Sequence, residues 1–338
     1  MIDSVVEVAA ISVPGQQKHY GLPFPLALEC RGGPSLDAAY RWLASHAESL
    51  LRQASEHGAI LFRGFPLTTA EDFDRFVTAF DLPNFPYDES LSNAVRVNRT
   101  PRVFTANEAP PTATILFHHE MAQTPVYPSR LFFFCETPAA TGGATPLCRS
   151  DVLWDRIEAQ RPDFARRCRE LGLCYSLVMP DGNDAQSGLG RSWQTTLRAN
   201  TPEAAEARLR ELGYRWEWLE DACLRATTPV LPAVRELSGG RRSFFNQLIA
   251  AFQGWKDSRN DPAKSVSFGD GTPMDADAVR LAAELAEQLA FDVPWQAGDV
   301  ALVDNFVAMH GRRTFTGVRK VLASLVDKQV SAALTAAH

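Results

Sequence analysis

Apolar side chains between residues 35 and 57 recur mostly every third or fourth position, at Leu36, Ala39, Trp42, Leu43, Leu50 and Leu51. That period predicts a helix with one buried face. Ser35 is placed to cap its start and Gly58 to stop it. The run Ala59-Ile-Leu-Phe-Arg-Gly-Phe then reads as a short buried strand. Thr68 or Thr69 opens a second helix with Phe73, Phe76, Val77 and Phe80 on its inner face. From 94 to 147 the texture changes to short runs rich in Val, Thr, Phe and Tyr between Pro and Gly turns. Strands are predicted at 94–98, 103–106, 114–117 and 130–135. Helical signals dominate from about 150 to 290, at 150–160, 162–171, 201–212 and 275–290, with a strand or two near 241–253. Strands return at 300–303 and 320–326. The expectation is therefore one domain over 1–338 and mainly β with α insertions. Its β core comes from about 59–147 and 295–327 and encloses a mostly helical insert.

Composition narrows the class. Of 338 residues, 45% are apolar and 22% charged, which fits a folded chain and excludes a disordered or fibrous one. The 34 basic and 40 acidic residues leave a net charge of −6 with no dense basic stripe, so nucleic acid is not an expected partner. No apolar run approaches a membrane span. The first residues carry acids where a signal peptide needs positive charge. The six cysteines form no Cys-x-x-Cys pair and read as reduced thiols of a cytoplasmic protein.

The candidate chemistry lies in Phe117-His118-His119-Glu120-Met121. On a strand, positions i and i+2 share a side, so His118 and Glu120 would aim at one point and His119 away from it. His310 follows far downstream, after the strand-and-turn signal of residues 298–305. Two histidines and one carboxylate form the facial triad of non-haem Fe(II) enzymes, which leaves coordination positions open. His-x-Glu alone recurs by chance, so its company matters. Gly142-Gly143 permits a tight turn before Thr145, whose hydroxyl would lie beside the metal. Arg319, nine residues past His310 and across a turn, could return to the same cavity and pair with a carboxylate. Taken singly, the turn is an ordinary loop and the arginine an ordinary surface residue.

Together these stretches resemble the Fe(II)/2-oxoglutarate-dependent dioxygenases of the taurine dioxygenase type, including their clavaminate-synthase-like relatives. The resemblance spans about 60–327. It rests most on residues 117–122, on Phe134-Cys-Glu-Thr-Pro-Ala-Ala-Thr-Gly-Gly-Ala-Thr-Pro146 and on Asp304-Asn-Phe-Val-Ala-Met-His-Gly-Arg-Arg-Thr-Phe-Thr-Gly-Val-Arg319. It implies a double-stranded β-helix (jelly-roll) core decorated by helices. It implies His118, Glu120 and His310 as iron ligands, with Thr145 and Arg319 holding the distal carboxylate of 2-oxoglutarate. Arg312, Arg313 and Lys320 are rivals to Arg319. Ala323-Ser324 stands where some relatives place a second, substrate-gripping arginine.

The activity implied is dioxygen-dependent hydroxylation of an unactivated C–H in a small substrate. An amino acid, free or tethered to a carrier protein in a biosynthetic pathway, is the expected substrate. The carboxylate ligand argues against halogenation, while desaturation or epoxidation by the same oxidant stays open. Asn107, Asn246 and Gln247 are expected to face the substrate. Two readings from other classes remain: a Zn(II) or Mn(II) hydrolase on the same triad, and a jelly-roll module that binds without turnover.

Overall fold

A computed structural model describes residues 6–335 apart from 93, 107 and 185. Asn107 thus lies outside the described residues. The chain is mainly β with helices. Its larger sheet has seven strands, in the order Glu7–Ile11, Leu26–Arg31, Ala59–Arg63, Val300–Asp304, Val126–Thr137, Lys320–Val330 and Phe104–Thr105. Neighbours are antiparallel except for Leu26–Arg31 against Ala59–Arg63. Residues near both ends of the chain therefore sit side by side in one sheet. The two N-terminal strands extend it beyond the predicted start at 59.

The period-two alternation of these strands divides the core in two. Ile60, Phe62, Phe132, Phe134, Val300 and Leu302 pack against the helices Leu36–His57 and Ala70–Thr78. Leu61, Leu131, Phe133, Ala301 and Val303 point the other way and share a cluster with Leu147, Phe291 and Ala308 of a second sheet. The helices start where the polar residues predict. Ser35 Oγ accepts from the Ala38 N–H, and Thr69, rather than Thr68, forms a capping box with Asp72.

The second sheet has four strands, in the order Phe291–Asp292, Pro146–Arg149, Ala308–Arg312 and Ile115–His118. It carries the candidate site. In register, His310 lies directly opposite His118, and the pairing shifts between His310 and Arg312. Gly311 sits at this irregularity because a Cβ there would lie 2.5 Å from the Ile115 carbonyl oxygen.

Three expectations need correction. The insert is less helical than its periodicity implies. Helices Ser150–Gln160, Pro162–Leu171, Pro202–Glu211 and Ala276–Gln288 fall where expected. Between them, however, Arg215–Trp218, Leu224–Thr227, Leu173–Met179 and Val266–Phe268 build a four-stranded sheet. The strand expected near 241–253 shrinks to Arg242–Ser243, and Leu248–Gly254 is helix, because a short apolar run suits either state. Residues 94–98 form no strand, and Asn98 makes an isolated bridge to Phe104. No helix of the described residues is long and apolar enough to cross a membrane.

Candidate metal and co-substrate site

One imidazole nitrogen from each of His118 and His310 and a carboxylate oxygen of Glu120 all lie within 4.8 Å of one another. Strand alternation is not what aligns them. The strand ends at His118, and Glu120 belongs to the turn that follows, where Met121 takes a positive φ of 59°. Asn305 fixes that turn instead. Its Oδ1 accepts from the Glu120 N–H at 2.8 Å, and its Nδ2 donates to the Glu120 carbonyl at 3.0 Å and the Pro128 carbonyl at 2.7 Å.

The protonation pattern suits a cation. His118 Nδ1 lies 2.8 Å from the Leu116 carbonyl. A carbonyl only accepts, so the proton sits on Nδ1 and Nε2 keeps a lone pair. Burial, then the neighbouring His310, pushes the His118 pKa down to about 4, so this imidazole is neutral at pH 7. His310 Nε2 lies 3.5 Å from Glu120 Oε2. Burial alone would raise the Glu120 pKa. The Arg96 guanidinium and the hydrogen bond to His310 outweigh it and hold the carboxyl well below the usual carboxylate range. A neutral His118 nitrogen, the His310 ring facing it and an anionic Glu120 oxygen, drawn close together, fit a divalent cation.

His119 turns away, as expected. Its Nδ1 donates to the Asn305 carbonyl at 2.5 Å, and its ring packs on Phe245 with centroids 4.9 Å apart.

A cavity of about 40 Å³ adjoins the cluster, and His118, His310, Phe133, Thr145, Arg312 and Arg319 are among its lining residues. Arg319 Nε donates to the Gly143 carbonyl at 2.7 Å and Nη2 to Thr145 Oγ1 at 3.3 Å. Trp295 Nε1 donates to the same oxygen at 3.0 Å. With both acceptor positions of Thr145 Oγ1 taken, its O–H is left to donate. Gly143 has a φ of +70°, and a Cβ there would come within 2.8 Å of Ala139 Cβ and 3.0 Å of Arg319 Cδ. Burial, then Arg312, lowers the Arg319 pKa to about 10, which leaves it cationic at neutral pH.

The rivals of Arg319 all have other partners, although Arg312 lines the same cavity. Arg312 donates to the carbonyls of Ala109, Pro110 and Ala113, Arg313 pairs with Glu287 and Asp292, and Lys320 is 3.8 Å from Glu136.

A larger cavity of about 280 Å³ also borders the cluster, with Arg96, His118, Glu120, Gln123 and Gln247 among its lining residues, and shares Arg96, Ile115 and His118 with the smaller one. Gln247 Nε2 donates to the His119 carbonyl at 3.0 Å. Asn246 is not brought to this cavity. Its amide donates to the Ala233 carbonyl and accepts from the Leu248 N–H, closing the turn into helix Leu248–Gly254.

Sequence reasoning missed Arg96, Asn305 and Trp295 as parts of the site. Arg96 Nη2 lies 3.1 and 3.3 Å from the two Glu120 oxygens, and only 6% of its side chain is exposed. Its guanidinium stacks over Tyr87 and Phe104, 4.8 and 5.3 Å from the ring centroids. An arginine predicted on a half-exposed strand carries no sign of this. Asn305 lies inside the motif that contains His310, but its grip on Glu120 appears only in the fold.

A His-Glu-His cluster on a β scaffold, beside a cavity that presents an arginine, is the donor set of a metal site. Residues 22–325 match the family model described as taurine catabolism dioxygenase TauD, TfdA family. The chain belongs to that family, the iron- and 2-oxoglutarate-dependent dioxygenases. It is 40% identical over 333 residues to a clavaminate synthase-like protein of Arabidopsis thaliana, covering 95% of this chain and 99% of that one. It is 29% identical over 289 residues to the dapdiamide synthesis protein DdaC of Enterobacter agglomerans, covering 81% and 83%. Its fold is similar to the crystal structure of AAD-2 with Mn(II) and N-oxalylglycine, at a TM-score of 0.53, 14% identity, and 96% and 99% coverage.

Proposed function

We propose that this chain hydroxylates an unactivated C–H of a small substrate, an amino acid either free or tethered to a carrier protein, in a biosynthetic pathway. The observation that carries the reading is the convergence of His118, Glu120 and His310 within 4.8 Å, next to the cavity where Arg319 meets Thr145. His118, Glu120 and His310 would hold Fe(II). Arg319 and the Thr145 hydroxyl would hold the distal carboxylate of 2-oxoglutarate, with Gly143 and Trp295 fixing their positions. The iron and its co-substrate, with dioxygen, supply the oxidation when bound. The protein supplies orientation and a site shielded from water. Gln247 would line the substrate side.

A metal hydrolase on the same triad would have no use for the Arg319–Thr145 pair, and a binding module would have none for two imidazoles and a carboxylate converging on one point. The dapdiamide synthesis relative supports a biosynthetic setting. We read the chain as one catalytic domain whose two main sheets form a double-stranded β-helix, because strands near both ends pair in the same sheet. Six free cysteines, five of them buried, support a cytoplasmic setting.

The test is anaerobic addition of Fe(II) and 2-oxoglutarate, which should give a weak visible charge-transfer band, followed by an oxygen-dependent succinate-release screen over amino acids and their thioesters. His310→Ala should abolish the band. A band that survives in this variant, or no succinate with any compound, overturns the reading.

A further inference from the structure

The larger cavity holds two polar groups with hydrogen-bonding capacity to spare, one of them on Arg96, which pairs with Glu120 and also borders the smaller cavity. Among the described residues, Arg96 Nε is buried without a hydrogen-bond partner, and so is Gln123 Oε1. Both residues line the cavity beside His118 and Glu120. A guanidinium carries five N–H donors, and here only Nη2 touches Glu120. A buried donor left unmet is unfavourable, so the arrangement anticipates an acceptor arriving with a ligand.

The charges point the same way. Of the described lining residues only Glu120 is acidic, and the proposed metal takes it as a ligand. Arg96 and Lys256 are basic. Bound Fe(II), Glu120, 2-oxoglutarate and Arg319 together sum to zero. Arg96 is therefore the uncompensated buried charge at the substrate side, and a buried cation needs an anionic partner.

Resting on the function proposed above, we infer that Arg96 is a specificity-determining residue that binds a free carboxylate of the substrate, with Gln123 Oε1 accepting from a neighbouring amino or amide N–H. Such a substrate enters as a free acid. A carrier-bound thioester has no ionised carboxyl at that end, and would leave Arg96 Nε without an acceptor.

The experiment uses the full chain loaded with Mn(II) and 2-oxoglutarate, each titrated first by calorimetry, so a failed metal or co-substrate site is seen separately. The probes are the L-amino acids, their methyl esters and their N-acetylcysteamine thioesters. At least one free acid should bind, with its ester and thioester about 10- to 100-fold weaker, the range for one charge-assisted hydrogen-bonded contact. Arg96→Gln should bring the acid-to-ester affinity ratio close to one, whatever it does to Mn(II) binding through Glu120, and Arg96→Lys should retain part of the preference. Gln123→Leu should weaken an amino acid more than the matching acid without the amine.

Three outcomes overturn the inference. The esters or thioesters bind as tightly as the acids, or no free acid binds. Alternatively, Arg96→Gln lowers only Mn(II) affinity and leaves the acid-to-ester ratio intact, as an arginine that merely positions Glu120 would. The wild-type ratio alone decides if the variant does not fold.

Discussion

Asn305→Ala tests how the site is built. Asn305 is fully buried, and its side chain serves three backbone groups: the Glu120 N–H, the Glu120 carbonyl and the Pro128 carbonyl. Truncation leaves all three buried and unmet. At about 1–3 kcal/mol for each orphaned group, with partial relaxation, the loss is about 3–5 kcal/mol. That lies in the range reserved for broken buried networks. Urea unfolding of the metal-free protein measures it, and Mn(II) titration should show weakened binding because Glu120 is no longer fixed. Asn305→Asp refines the argument. It keeps the acceptor for the Glu120 N–H but turns an anionic oxygen toward two carbonyls. The folded state then favours the protonated acid, so the carboxyl pKa rises above its unfolded value of about 3.9. The variant is least destabilised below about pH 4, and the deficit grows as pH rises through the folded pKa. A loss under about 1 kcal/mol for Asn305→Ala, or a pH-independent deficit for Asn305→Asp, refutes this account of the Glu120 turn.

Other sites give sharper local tests. Gly143→Ala forces a Cβ against Arg319 Cδ in a backbone conformation that L residues rarely adopt. It should weaken 2-oxoglutarate binding by about tenfold or more while Mn(II) affinity holds, as calorimetry would show; unchanged 2-oxoglutarate affinity counts against the Arg319 assignment. Trp295→Phe removes one donor to Thr145 Oγ1. It should weaken 2-oxoglutarate about fivefold, the equivalent of one hydrogen bond. Burial, then Asp299, pushes the Cys135 thiol up to about 12, and burial pushes Cys168 to about 12. At pH 8 a disulfide reagent should therefore label the half-buried Cys223 first, read by peptide mass spectrometry. Because these folded thiol pKa values exceed the unfolded one, their contribution is intact below about pH 9 and is lost as pH rises toward 12. A base titration that showed greater stability over that window would contradict the burial of these thiols.

The parts of the site legible in the sequence are those whose role follows from residue type and spacing. His118, Glu120, His310, Thr145 and Arg319 stand in motifs whose chemistry narrows the options, and the structure brings all five to one place. The path there differed from the alternation argument, because Glu120 is held by a turn that Asn305 clamps from 185 residues away. Arg96 and Trp295 were illegible for the same reason. Each acts through partners that only the fold brings to it, Glu120, Tyr87 and Phe104 for Arg96 and Thr145 for Trp295, and nothing in the flanking pattern of either residue separates it from an ordinary loop residue.

The fold shows a parallel limit. Helix Leu36–His57 announces itself by period and caps, whereas Leu248–Gly254 is short and apolar on every side, so periodicity cannot tell it from a strand. The strands Arg215–Trp218 and Leu224–Thr227 alternate, but over only four residues each, beside helices with stronger signals. What escaped the sequence is thus not random. It is the set of contacts that exist only after the two ends of the chain have met in one sheet. Substrate choice belongs to that set. The proposed metal ligands can be read from local motifs, but the charge proposed to face the substrate comes from Arg96, on a segment held by Tyr87 and Phe104. Family membership therefore fixes the oxidant more firmly than it fixes what is oxidised.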